Sequence, residues 1–308
     1  MRAFVFPGQG SQAVGMGGAL ADASRAAKDV FDEVDEALGQ NLFRLMREGP
    51  DDELKLTENA QPAIMAHSIA VLRTMGVRIA DVASFVAGHS LGEYSALCAA
   101  GSFDLATTAK LLKLRGQTMQ QAVPVGEGAM AALLGADLAL AQKIAEAAAQ
   151  GQVCTVANDN DPSQVVISGN KAAIDRAIEM AKEMGAKRAV PLPVSAPFHC
   201  PLMQPAAEAM RDALSYVVIE QPAVPVFANV TAQPESDPDT IRNQLVEQVT
   251  GMVRWRESVA NMFDAGVHEF VEIGGKVLGS MVKRIAPDAK VTSVVTIEDV
   301  EAAAKEIA

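Results

Sequence analysis

The chain has 308 residues, 49% of them hydrophobic, and a formal net charge of −12. It can therefore bury a large core, while its acidity and its lack of basic blocks interleaved with aromatics argue against nucleic acid as a partner. No apolar run approaches the length of a membrane span, no leader precedes the first strand pattern, and the three scattered cysteines (Cys98, Cys154, Cys200) have neither disulfide nor metal-ligand spacing, so a cytoplasmic protein with no metal site is expected.

Residues 2–6 read as a strand and 7–18 as a glycine-rich loop. Helical periodicity covers 19–38 and 59–75. An apolar run at 82–87 then stops at Gly88-His89-Ser90-Leu91-Gly92, and a helix-forming run follows at 93–100. Strand, sharp turn and helix with a serine at the apex is the G-x-S-x-G arrangement of a nucleophile: small residues on either side let strand and helix pass closely, and free N–H groups stand beside an exposed Oγ. A long amphipathic helix is predicted at 105–122, ended by Pro124.

After residue 124 the pattern changes. A strand at 130–134, a helix at 137–149, strands at 153–157 and 164–168 joined by a turn at 158–162, a helix at 171–184 and a strand at 186–194 give the order βαββαβ, which is ferredoxin-like. Longer elements resume with helices at 202–214, 238–250 and 256–265 and strands at 224–230 and 269–273. The fold class expected is α/β: a large α/β-hydrolase-like subdomain with a parallel core sheet (1–124 and 195–308), carrying an inserted smaller ferredoxin-like subdomain (125–194).

A serine nucleophile needs a base. Of the four histidines, His67 sits in a helical apolar run and His268 lacks polar company, so both read as structural. His89 adjoins Ser90, but neighbours at a sharp turn point apart. His199, held in a loop between Pro197 and Pro201, is the candidate. No acid follows a core strand between Ser90 and His199, so a Ser–His dyad oriented by a backbone carbonyl is expected. The loop Gly8-Gln-Gly-Ser-Gln-Ala13 has two readings: a weak dinucleotide fingerprint, lacking its second strand and acid, or a loop offering Gln9 as oxyanion donor. Arg115 follows Leu111, Leu112 and Leu114 on what reads as an inward face, and a buried arginine needs an anion from the protein or from a ligand.

Taken together, Phe6-Pro-Gly-Gln-Gly-Ser-Gln12, Gln61-Pro62, Gly88-His-Ser-Leu-Gly-Glu-Tyr-Ser95, Arg115-Gly116, Gln164-Val-Val-Ile-Ser-Gly169, Ser195-Ala-Pro-Phe-His199 and Gln248 before Val253-Arg-Trp255 resemble the malonyl-CoA:acyl carrier protein transacylases of type II fatty-acid synthesis, in order and over nearly the whole chain. The resemblance implies that Ser90 takes the malonyl group and His199 is base then acid. It implies an oxyanion hole from the N–H groups of Gln9 and Leu91, Arg115 as holder of the free carboxylate, and the Gln248 carbonyl as orienter of His199. Gln61, Met119 and Asn158 would line the pocket, and Phe198 resembles the malonyl-selective members. Malonyl-CoA and acyl carrier protein are the implied partners, with no metal or redox cofactor, and a monomer is expected. The sequence departs from the family's usual pattern at Gly251-Met252, at the short turn Ile273-Gly-Gly-Lys276 and at Cys200. Because carrier proteins are acidic, Lys110, Lys113, Lys187, Arg188, Lys283 and Arg284 are candidate docking residues, against the plainer reading that they are solvated. An esterase or thioesterase using the same turn is the rival enzyme, and a non-catalytic interaction module is the third class.

Overall fold

A computed structural model describes residues 1–194 and 196–307; Ser195, within the histidine-loop motif, and Ala308 lie outside the described residues. The strands are β1 (Arg2–Phe6), β2 (Phe85–Gly88), β3 (Gly128–Leu134), β4 (Cys154–Asp161), β5 (Gln164–Asn170), β6 (Arg188–Pro191), β7 (Val226–Phe227), β8 (Pro234–Glu235), β9 (Glu269–Ile273) and β10 (Lys290–Val294). They form a six-stranded sheet in the order β10-β9-β1-β2-β7-β8 and a four-stranded sheet in the order β4-β5-β3-β6. The first is parallel from β10 to β7, with β8 antiparallel at its edge.

Strand β1 shows why this sheet is covered on both faces. Its residues alternate: Phe4 and Phe6 join the apolar core with Phe31, Ile64 and Leu112, whereas Ala3 and Val5 join a second core with Trp255, Val259 and Leu278. Helices Arg25–Leu38, Thr57–Met75 and Leu105–Gln121 cover one face, and helices Trp255–Asp264 and Leu278–Ile285 the other. The register pairs Phe6 with Gly88, so the chain leaves β1 and β2 side by side at the carboxyl edge of the sheet, where open α/β folds place their ligands.

The four-stranded sheet is antiparallel throughout and is built from residues 128–191. Its strand order and the two helices Leu138–Ala149 and Lys171–Ala181 are those of a βαββαβ unit, with a core of its own around Ile144, Ile167 and Ile174.

Several expected elements differ. The helix expected over 19–38 is two, Gly18–Ala23 and Arg25–Leu38, because extended Ser24 interrupts it and caps the second by accepting from the Ala27 N–H. Residues 79–82 are a short helix, so β2 starts only at Phe85. The strand expected over 224–230 is confined to Val226–Phe227. The expected turn at 158–162 is strand as far as Asp161, with register shifts on the way. Its polar residues are buried because they find partners in the large subdomain. Arg256 binds Asp159 through Nε at 3.0 Å and Nη2 at 2.8 Å, Arg284 binds Asp161 at 2.8 Å, and the Asp159 N–H donates to the Val253 carbonyl. Strand β10 and the terminal helix Ile297–Ile307 were not anticipated.

Candidate active site

The turn after β2 is tightly built. A Cβ on Gly88 would lie 1.9 Å from the Gly92 carbonyl, and one on Gly92 2.3 Å from the Phe6 carbonyl oxygen, so neither position admits a side chain. Between them Ser90 adopts φ 54°, a left-handed conformation that costs a non-glycine residue on the order of 1 kcal/mol. Asn229, just beyond β7, holds that conformation from both sides. Its Oδ1 accepts from the Ser90 N–H at 2.8 Å and its Nδ2 donates to the Gly88 carbonyl at 2.7 Å.

The strained turn aims Ser90 Oγ at His199, with 2.7 Å from Oγ to Nε2. His199 also has a positive φ of 56° and lies buried in its loop. Its Nδ1 is 2.8 Å from the backbone carbonyl of Gln248. A carbonyl only accepts, so Nδ1 carries the proton and Nε2 presents its lone pair to the serine. Burial, with the nearby Arg115 charge second, pushes the imidazole down to about 3, so the ring is neutral over the ordinary pH range.

Arg115 reaches the site from helix Leu105–Gln121. A Cβ on the adjacent Gly116 would lie 2.6 Å from the Glu58 Cα and the Thr57 carbonyl oxygen, so the glycine lets this helix close onto Thr57–Met75 and brings Arg115 beside Gln61. The guanidinium is completely buried. Nη1 donates to Gln61 Oε1 at 2.8 Å, and Nη2 donates to Gln248 Oε1 at 2.8 Å and to Ser90 Oγ at 3.2 Å. Nε is buried without a partner, and no carboxylate lies within ion-pair distance among the described residues. Burial lowers the pKa of the guanidinium, and the face of Tyr94 is 5.7 Å away.

The buried carboxyl of Glu93 is linked to Arg115 through one amide. Gln248 Nε2 donates to Glu93 Oε2 at 2.7 Å, while Gln248 Oε1 faces Arg115. The Asn229 N–H also donates to Glu93, and burial pushes this carboxyl up to about 7.

Of the residues singled out from sequence, Ser90, His199, Gln9, Gln61, Arg115, Met119 and Asn158 all line one cavity of about 450 Å³, with Phe198. Met119 Sδ is 3.8 Å from Gln61 Nε2. Leu91 lies in the turn itself, buried, and among the described residues the Leu91 and Gln9 N–H groups find no acceptor. Gln248 stands behind the cavity. A neighbouring cavity of about 560 Å³ shares Gly10 and Gln12 and includes His67, but it holds no paired nucleophile and base. The dinucleotide reading fits poorly, since the first helix opens only at Gly18 and Gln9 belongs to the Ser90 cavity. His89 lines the same cavity, but its Nε2 lies 2.8 Å from Asn160 Oδ1 on β4, and Ser90 Oγ is bonded by His199 and Arg115 instead. His67 is buried, with Nδ1 3.2 Å from the Gly274 carbonyl oxygen. Among the basic candidates, Arg284 is committed to buried Asp161, Lys113 pairs with Glu58 at 3.2 Å, and Lys283 donates to the Ala289 carbonyl.

Sequence reasoning missed Asn229, the carboxylate role of Glu93 and the Asn160–His89 contact. Asn229 follows a strand that is only two residues long, with no pattern to mark it. Glu93 was visible within the serine motif, but nothing in the helix pattern distinguishes a buried glutamate from an exposed one.

A family model described as "Acyl transferase domain" matches residues 3–294. The malonyl CoA-acyl carrier protein transacylase of Escherichia coli strain K12 is 46% identical over 284 residues, covering 92% of each chain. An acyl-carrier-protein-S-malonyltransferase from Bartonella henselae superimposes with a TM-score of 0.97 at 53% identity over 99% of each chain. A malonyl-transacylase solved in complex with its type II PKS acyl-carrier protein superimposes at 0.96, with 41% identity over 99% of each chain.

Proposed function

The chain belongs to the acyl transferase domain family, and from there we propose that it moves a malonyl group from malonyl-CoA to the phosphopantetheine thiol of an acyl carrier protein in fatty-acid synthesis. His199 Nε2 takes the proton of Ser90 Oγ as the oxygen attacks the thioester carbonyl. The N–H groups of Gln9 and Leu91 receive the developing oxyanion; one such donor is worth about 3 kcal/mol of barrier. The carbon–sulfur bond breaks, His199 returns the proton to the coenzyme A sulfur, and the malonyl group rests on Ser90. The carrier-protein thiol then attacks that ester by the same steps in reverse order. Every proton and electron pair is accounted for by these groups, so the scheme calls on no redox or metal cofactor.

The carbonyl of Gln248 keeps His199 in the productive tautomer. Arg115, aligned by Gln61, receives the free carboxylate of the malonyl group, and Met119, Asn158 and Phe198 shape the space around it. Residues 125–194 act as a subdomain whose β4 closes one wall of this space. We place this activity in the cytoplasm, consistent with the three scattered cysteines that form no disulfide.

The observation that carries the proposal is a fully buried guanidinium, without a carboxylate partner among the described residues, 3.2 Å from the nucleophile. A buried cation held by neutral acceptors keeps its charge available for an anionic group of a ligand. The test is transfer from radiolabelled malonyl-CoA to holo carrier protein, with acetyl-CoA and water as competing donor and acceptor. Malonyl transfer in excess of hydrolysis supports the proposal; hydrolysis unaffected by carrier protein would favour a thioesterase.

A further inference from the structure

The same Arg115 that waits for a carboxylate also touches the nucleophile. Its Nη2 donates to Ser90 Oγ at 3.2 Å, on the oxygen whose proton points to His199 Nε2 at 2.7 Å. A cationic donor on Oγ draws on the lone pair that must attack the thioester. It also opposes the positive charge that His199 acquires when it takes the proton, and Arg115 is the second cause, after burial, of the depressed basicity of that ring.

Among the described residues no carboxylate pairs directly with Arg115 to relieve this restraint. Gln61 and Gln248 are neutral acceptors, Nε has no partner, and Glu93 is kept one amide away by Gln248 and the Asn229 N–H. We infer that Arg115 restrains Ser90 in the empty site and that the carboxylate of the incoming acyl group releases it, so that the substrate arms its own nucleophile. This rests on the malonyl reading above and adds a catalytic consequence to it. The guanidinium N–H turns from Ser90 Oγ to the carboxylate. The Oγ lone pair is freed for attack on the thioester carbonyl, and the positive charge facing His199 is neutralised. An acyl group without a carboxylate meets a restrained serine, so discrimination operates in the chemical step and not only in binding.

The inference separates from simple affinity by supplying the carboxylate apart from the acyl group. Wild-type enzyme is mixed with acetyl-CoA, and formation of acetyl-Ser90 is followed by intact mass with formate, the smallest carboxylate, or with neutral, similarly sized formamide. Arming requires formate to accelerate acetylation by about fivefold or more, the scale of an ordinary coupling between two ligands, and formamide to have no such effect. Arg115→Met removes the restraint together with the anion site, so its acetylation must be insensitive to formate. Inhibition by formate, no response to it, or an equal response to formamide overturns the inference, and the wild-type measurements alone suffice for this if the variant does not fold. Malonyl-CoA in a parallel sample keeps the two claims apart. If it fails to label Ser90, the function proposed above falls; if it labels Ser90 while formate does nothing for acetyl-CoA, only the arming step falls.

Discussion

Two buried regions of this molecule treat arginine in opposite ways. At the seam between the subdomains, Arg256 and Arg284 each meet an aspartate of β4, and both acids are buried to 1% or less. In the Ser90 cavity Arg115 is buried more deeply than either, yet among the described residues its side-chain hydrogen bonds go to amides and a hydroxyl. A seam must be stable by itself, so every charge it buries is paired within the chain. A binding site whose charges were all paired internally would have nothing left to offer a ligand. The contrast sets buried charges paired within the chain apart from one left available to a ligand.

Four experiments break or sharpen that contrast. The largest effect is expected from Ser90→Ala, which removes the group on which the cavity converges. Transfer should fall by about 10⁴-fold or more, and no radiolabelled malonyl should remain on the protein. Covalent label persisting in that variant would move the nucleophile elsewhere.

Next comes Arg115→Ala. Loss of a buried, hydrogen-bonded charge partner of the substrate should lower kcat/KM for malonyl-CoA by about 10²-fold or more, while kcat/KM for acetyl-CoA, which the arginine restrains, should hold or rise. Equal losses for the two thioesters would place Arg115 with the seam arginines, as a structural group.

At the seam, Asp159→Asn should behave the other way. Arg256 keeps a third of its side chain exposed, so the cost is expected at about 1–3 kcal/mol, below that of a wholly buried pair. It should appear in denaturant unfolding, while the malonyl-to-acetyl preference stays unchanged. A shift in that preference would mean that the seam and the cavity are one functional unit.

The smallest effect concerns pH. The folded-state pKa of His199 lies far below the ordinary imidazole value of 6.5, near 3. The ring is then in its basic form at every pH above that range, and protonation disables it only as pH falls through about 3. Between neutrality and one unit below 6.5, kcat/KM for malonyl-CoA should be nearly flat, where an unperturbed histidine would lose about tenfold. A limb centred near 6.5 that persists in Glu93→Gln, which removes the buried carboxyl that titrates at about 7, would show that the ring is hydrated in the working enzyme. The same shift makes the stability contribution of His199 rise with pH between about 3 and 6.5, because the unfolded chain holds the extra proton there.

How much of this was readable in advance follows the range of the interactions. The turn at Ser90 was legible because its requirements are local: glycines at 88 and 92 are forced by a strand and a helix passing within van der Waals distance. The βαββαβ unit was legible because alternation and helical period show in the pattern of side chains. The acidic run at 158–161 was misread for the same reason that it matters. Asn and Asp signal a turn when only neighbours are considered, and Arg256, Arg284 and His89, distant in sequence, are what make a strand of them.

Local patterning was thus enough for the sharp turn at Ser90, the alternation of helices and strands and the presence of an inward arginine, since each depends on residues within a turn or two of one another. Only the tertiary structure decided what each buried charge would face. Whether Arg115 is paired, how far Glu93 is held from it, and that one residue, Gln248, serves His199 through its backbone and Arg115 through its side chain are set by segments far apart in the chain. Those partners meet only when the parallel register of β1 and β2 and the packing of the helices around them have fixed the cavity.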